Sequence, residues 1–233
     1  IKSVEILLHE CNIANQYNLT AQIIDIGGGI PINYLTESGW SHIKNLKETD
    51  YYFKEKINNY YPYNQSCVKY DYIEKILNSS IQNKIIANIL KEKNLKIIIE
   101  PGRSLLDQVG VTLFKVNGLK KLERNKYIIG VDGNINNLSE SWFDSEFPIS
   151  PYLIQKKPNK TKIKAVICGN TCLEMDFLTK HFIDIQSLPN TDDIIIYVNT
   201  AGYQMDSNES RFHMLPLPEK SIYYSKTFKE DWL

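Results

Sequence analysis

The chain has 233 residues, 27 Lys+Arg against 27 Asp+Glu, 42% hydrophobic residues and a mean hydropathy of −0.32. This balance excludes the basic field of a nucleic-acid binder and the charge bias of a disordered tail. No apolar run reaches the ~18 residues of a membrane span, so the expectation is a soluble globular protein with neither nucleic-acid nor membrane partner.

The opening residues, IKSVEILLHE, lack the basic-then-apolar layout of a signal peptide. Val4, Leu7, Leu8, Cys11 and Ala14 recur at helical spacing and predict a helix that ends by Asn18. Starting on Ile inside a running helix, the sequence reads as the latter part of something longer, a truncated product or gene fragment. AQIIDI (21–26) predicts a buried strand stopped by Gly27. Residues 33–65, rich in Tyr, Asn and Lys with weak periodicity, predict a surface excursion with one short helix. A second helix is predicted from a capping-box-like start at Asp71 and Glu74. Its face is Ile73, Ile76, Leu77, Ile81, Ile85, Ile89 and Leu90, and it ends near Asn94.

KIIIE (96–100) predicts another short buried strand, closed by Pro101 and Gly102. Helix–strand–helix–strand is the order of parallel βα units. After Gly110 it gives way to strands alone: VTLFKV, KYIIGV, KAVICG and DIIIYV. A boundary near NGLKK divides the chain into 1–117, part of a βα domain, and 118–233, a β-domain. A closed eight-unit barrel needs roughly 200 residues or more, so only part of one is present.

Cys168 and Cys172 are four apart rather than a CxxC pair, and no His stands at zinc spacing. No metal site is expected, and the scattered cysteines suit a reduced, cytoplasmic protein. Four stretches carry chemistry. In IIDIGGGIP (23–31), Gly27, Gly28 and Gly29 follow a strand, either as a tight turn or as a backbone cradle for phosphate. The pattern is not GxGxxG and no Lys-Ser/Thr follows, which argues against a nucleotide fold. In IIIEPGRS (97–104), Glu100 and Arg103 meet at a strand's C-terminal end, where barrel active sites lie; alone they could be a surface ion pair. ICGNTCLEMDFL (167–178) carries Cys172, Glu174 and Asp176, although a lone Cys is more often a small buried hydrophobe. VNTAGYQMDSNESRFH (198–213) places Tyr203 in a loop after an apolar strand, or in the core.

In this order, DIGGG, EPGR, the Cys/acid segment preceded by CGN, and the AG-Tyr loop resemble the pyridoxal-phosphate (PLP) enzymes of the alanine-racemase-like fold. The nearest group is the diaminopimelate, ornithine and arginine decarboxylases. VDGNINNL (131–138) adds to the likeness, which runs from about Ala21 to Pro216. The resemblance implies an α/β fold followed by β: the C-terminal part of a PLP-binding (β/α)8 barrel, then a β-domain. It implies that Gly27–Gly29 bind the cofactor phosphate, with Gly102 and Arg103 completing that site. Glu100 would keep the pyridine nitrogen protonated, so that the ring acts as an electron sink. Cys172 would reach the partner subunit's site of a homodimer and act in catalysis, and Tyr203 would lie near the cofactor. Asp144 would hold the distal group of an amino-acid substrate, and Glu174 and Asp176, the acids of the Cys segment, would also bind the substrate.

Some features depart from the family. Leu173 follows Cys172 where an acid is usual, Asn170 stands for a Pro, and Tyr203 follows Gly202 directly. No segment resembles the family's lysine that bonds the cofactor covalently, nor its ring-stacking His. The implied activity is that of a PLP-dependent carboxy-lyase, inactive without the lysine-bearing half. The alternatives are a non-catalytic PLP-fold protein and a PLP-dependent racemase, which would need acid/base groups on both substrate faces.

Overall fold

Val4, Leu8 and Cys11 are the buried positions of α1 (Lys2–Gln16), on the face that the spacing predicts. They form one cluster with Ile24 of β1 (Ile23–Asp25) and with Ile76, Ile81, Ile86, Ile89 and Leu90. Burying each such side chain contributes about 1.5–3 kcal/mol. This cluster is the core of the first of two compact units in the computed structural model, Ile1–Trp40 with Pro62–Asp107. The second unit is Ser41–Tyr61 with Gln108–Leu233. The structure describes residues 1–138, 145–203, 205, 211–224 and 226–230. Among these, no helix is long and apolar enough to cross a membrane.

In the first unit β1 lies parallel to β4 (Lys96–Ile98), pairing Ile23 with Lys96, Ile24 with Ile97 and Asp25 with Ile98. The helix predicted over 71–94 is two helices. They are α3 (Lys69–Asn78) and α4 (Ile86–Glu92), separated by a hairpin of β2 (Ser80–Ile81) and β3 (Lys84–Ile85). Its turn is Gln82 and Asn83, at φ 49° and 67°, the left-handed pair that a two-residue hairpin requires. Periodicity missed the break because Ile76, Ile81, Ile86 and Ile89 all enter the same core. Asp71 is no cap either, since α3 starts two residues earlier after an extended Val68.

The 33–65 excursion is not confined to the surface. Asn33 Oδ1 accepts from Gln65 N at 2.7 Å, and Tyr34 stacks on the buried Tyr63 at 5.8 Å. These contacts tie both ends of the excursion into the first unit. The chain leaves that unit within α2 (Glu37–Lys44), and Tyr51 then forms an isolated bridge with His181 of the second.

The second unit is a six-stranded sheet. Its strands are β5 (Val111–Lys121), β6 (Lys126–Val131), β7 (Tyr152–Ile154), β8 (Ile163–Cys168), β9 (Phe177–Ile185) and β10 (Ile194–Val198). They run in the order β7-β10-β5-β6-β8-β9. Among the described residues of this sheet, only β6 and β8 pair in parallel. Phe114 and Val116 of β5 and Ile195 and Tyr197 of β10 are buried, and their alternation marks the core face. A final hairpin joins β11 (Ser221–Tyr224) to β12 (Thr227–Glu230). The units part at Asp107, ten residues before the expected boundary after 117, and β5 runs through Gly118 without a break.

Candidate functional site

In the first unit, pairing β1 parallel to β4 sets their C-terminal ends side by side, one leading into Gly27–Gly29 and the other into Glu100–Arg103. The contact continues past the strands. Ile26 N donates to Ile98 O at 3.1 Å, and Glu100 N donates to Gly27 O at 2.9 Å. Gly27 and Gly29 have φ of +69° and +72°, and a Cβ on Gly28 would lie 2.7 Å from Glu100 O. The middle glycine is therefore demanded by close approach and its neighbours by backbone conformation.

Gly27 N is taken by Asp25 Oδ1 at 2.8 Å. Among the described residues, the N–H groups of Gly28 and Gly29 make no intrachain hydrogen bond. They are thus the donors with capacity for an anion. Gly102 and Arg103 are half-buried in the turn after β4, and Glu100 is exposed. That turn closes with Leu105 N donating to Gly102 O at 3.1 Å. Lys69 clamps the region again: its N–H donates to Pro31 O at 3.0 Å, and its ammonium pairs with the Asp107 carboxylate.

The second unit carries the cysteine on the loop 169–176 between β8 and β9. Asp176 is buried and organises this loop with both carboxylate oxygens. Its Oδ1 accepts from Ile135 N at 2.7 Å. Its Oδ2 accepts from Thr171 N at 2.9 Å and from the Thr171 hydroxyl at 2.6 Å. A Cβ at Gly169 would lie 2.3 Å from the same carboxylate. Asp176, expected at the substrate, thus stands in the structure as a loop clamp, while Cys172 and Glu174 are exposed. Burial, aided by the Asp176 charge, pushes the Cys168 thiol up at the foot of the loop. Beside the loop is a cavity of about 780 Å³, lined by Tyr52, Phe53, Cys168, Thr171, Glu174 and Phe177 among others.

Tyr203 is half exposed, at φ +70°, in the turn after β10. The base of this turn is fixed by Thr200 N donating to Gly110 O at 3.1 Å and Gln108 N donating to Asn199 Oδ1 at 3.1 Å. Asp144 lies outside the described residues. The structure therefore brings Gly27–Gly29 and Glu100 together in one unit, and places Cys172, Glu174, Asp176 and Tyr203 in the other.

Two arrangements had no signal in the sequence. One is His213, whose ring nitrogens lie 3.8 and 3.9 Å from Cys172 Sγ across 41 positions of chain. The other is a buried pair in which the Glu146 carboxylate holds both His181 Nδ1 and, at 2.9 Å, Lys180 N. Tyr51 lies edge-on to His181 and shares a 2.8 Å hydrogen bond with Tyr60. Burial pushes both phenols up, and the Glu146 charge adds to it.

The sequence profile described as "Pyridoxal-dependent decarboxylase, C-terminal sheet domain" matches residues 63–202. An uncharacterized protein, y4yA, of Sinorhizobium fredii is 32% identical over 203 residues, which is 85% of this chain and 44% of that protein. Diaminopimelate decarboxylase of Bacillus subtilis is 24% identical over 199 residues, 84% of this chain and 38% of that protein. The crystal structure of a diaminopimelate decarboxylase from M. jannaschii with L-lysine overlays with a TM-score of 0.67 at 16% identity. It covers 97% of this chain and 43% of that one. The chain thus spans less than half the length of the curated relatives named here. Its fold is the one the resemblance implies, the C-terminal part of the alanine-racemase-like barrel followed by a β-domain.

Proposed function

This chain belongs to the family of pyridoxal-dependent decarboxylases, and on that premise we propose that it supplies the phosphate- and ring-binding share of an amino-acid carboxy-lyase. The observation that carries the reading is the glycine cradle. A backbone approach that no side chain tolerates at Gly28, with two uncommitted N–H groups and Arg103 in the adjoining turn, fits a phosphate monoester.

In this reading Gly28 and Gly29 N–H and the Arg103 guanidinium bind the phosphate of pyridoxal phosphate, while Gly27 shapes the loop and Gly102 lets the chain turn beside it. Glu100 holds a proton at the pyridine nitrogen. When bound, pyridoxal phosphate supplies an electron sink for the charge left when CO2 departs. Cys172 delivers a proton to that substrate carbon in a homodimer with shared sites, and its exposure on a braced loop suits such a reach. Tyr203 lies beside the cofactor. Glu174 and Asp144 contact the substrate, and Asp176 fixes the loop that carries Cys172. The related diaminopimelate decarboxylases favour an amino acid with a polar distal group as substrate, and the cytoplasm as the site of action.

Titrating the chain with pyridoxal phosphate, followed by intrinsic fluorescence and competed with inorganic phosphate, tests the cradle. Gly28→Ala is expected to weaken binding about tenfold or more, since closing the cradle removes two charge-assisted hydrogen bonds. Equal binding by both proteins overturns the assignment. Decarboxylation is read as CO2 release with the lysine-bearing half supplied. Cofactor binding with no CO2 release would support a non-catalytic binder instead.

A further inference from the structure

Cys172 sits at the exposed crest of a loop whose base is rigid, and one imidazole stands against its sulfur. His213 Nδ1 and Nε2 are 3.8 and 3.9 Å from Sγ. In either tautomer, then, an unprotonated ring nitrogen is within a sulfur hydrogen bond of the thiol. Neither partner is held loosely. Asp176 grips Thr171, next to Cys172, through both its N–H and its hydroxyl, and Asn170 N donates to Gly133 O at 2.8 Å. His213 and Met214 have φ of +56° and +59°, and Met214 N donates to Arg211 O at 2.9 Å. Two successive non-glycine residues in the left-handed region are uncommon, and here they present the ring to the thiol. The charged groups of these two segments are Glu174 and Asp176 on the cysteine's loop and Arg211 beside the histidine.

We propose that His213 is the proton-exchange partner of Cys172. The thiol S–H bond breaks as an imidazole N–H bond forms, leaving a thiolate beside an imidazolium, and the same proton returns along the same path. Imidazolium beside sulfur favours thiolate, as in other Cys–His pairs. The catalytic use of this exchange rests on the decarboxylase reading above. After Cys172 gives its proton to the substrate carbon, the pair is left as thiolate and neutral imidazole; the free ring nitrogen of His213 takes a proton from solvent, and the imidazolium so formed returns it to the sulfur. His213 is thus a positioning residue that acts through Cys172. The pairing itself does not depend on the cofactor.

The test is the rate of iodoacetamide alkylation at Cys172, read at peptide level by mass spectrometry from pH 5 to 10. Cys67 serves as the reference in the same molecule. The variant is His213→Asn, because Asn tolerates the left-handed backbone while removing the ring. An ordinary thiol titrates near ~8.5; the wild-type rate should persist to lower pH than the variant's, whose profile should follow that ordinary range. At pH 6.5 the wild type should alkylate roughly fivefold faster than the variant, the lower nucleophilicity of a stabilised thiolate offsetting part of its greater abundance, with Cys67 unchanged.

Superimposed profiles, or a wild-type bend in the ordinary thiol range, overturn the pairing; the wild-type profile decides even if the variant does not fold. Pyridoxal phosphate binding is measured on the same samples. A low bend without cofactor binding sinks the decarboxylase reading and keeps the pair. Cofactor binding with an ordinary bend does the reverse.

Discussion

The two strand-end loops that carry the candidate chemistry are built by opposite means. The Gly27–Gly29 loop is made of main chain. Its shape comes from the parallel pairing of β1 with β4, from two left-handed glycines and from the approach of Gly28 to Glu100 O. The Cys172 loop is made by one side chain, the Asp176 carboxylate, which accepts three hydrogen bonds from Thr171 and from the distant Ile135. A main-chain loop offers N–H groups at fixed positions, which suits an anion that must be held still. A loop braced at its base by a carboxylate leaves its crest exposed, which suits a side chain that must reach outward.

The contrast breaks first at Asp176. Asp176→Ala leaves three donors without their acceptor, each costing about 1–3 kcal/mol when buried; the three bonds are only part-buried, so a loss at the low end of the sum, about 3 kcal/mol, is expected in urea denaturation. Alkylation of Cys172 should lose its distinctive pH profile at the same time, while pyridoxal phosphate affinity is retained. A loss below about 1 kcal/mol would show that the loop holds itself without the carboxylate.

Gly28→Ala is the matching blow to the other loop. The added methyl meets a backbone oxygen at 2.7 Å, and relieving such overpacking costs about 1–3 kcal/mol. Here affinity for phosphate falls with stability, and the Cys172 alkylation profile stays in place. Gly29→Ala separates conformation from space. Nothing lies within 4 Å of its would-be Cβ, so only the left-handed backbone resists, at about 1–2 kcal/mol. If Gly29→Ala cost as much as Gly28→Ala, the close approach to Glu100 O would not be what selects the middle glycine.

This difference in construction is also why one loop was legible in the sequence and the other was not. Glycine triplets and Pro-Gly pairs after apolar runs advertise main-chain demands, so β1, β4 and their turns were located within two or three residues. β6, β8 and β10 announce themselves by β-branched runs. Side-chain braces leave no local trace. Asp176 reads like any acid near a cysteine, and its partner Ile135 is 41 positions away. β9 escaped detection because Thr179, Lys180 and His181 interrupt its apolar pattern. Two of these side chains are buried against partners that only the fold supplies, Tyr197 for the Thr179 hydroxyl and Glu146 for the His181 ring, and Glu146 also accepts from the main-chain N–H of Lys180. The Gln82–Asn83 turn escaped for a related reason, since α3 and α4 feed one core on both sides of it.

The smallest expected effect separates the loops by pH. Cys168, at the foot of the cysteine loop, has its thiol raised by burial first and by the Asp176 charge second. A thiol raised in the folded state binds its proton more tightly there than in the unfolded chain. Its contribution to stability is therefore complete below the ordinary thiol range of about 8.5–9 and is lost as pH rises through the raised value. Near the upper end of this window the phenols of Tyr51, Tyr60 and Tyr197 begin to contribute as well, because they start to ionise in the unfolded chain while burial keeps them protonated in the folded one. The informative quantity is thus the difference between wild type and Cys168→Ala, measured by urea denaturation at pH 7.5 and again at pH 10. The wild type should lose more than the variant between these two values. Adding Asp176→Asn should narrow that gap, because it removes the second cause of the shift. Gly29→Ala, whose penalty is conformational and exchanges no proton, should cost the same at both. A gap between wild type and Cys168→Ala that does not change with pH would remove the thiol from the account of this loop.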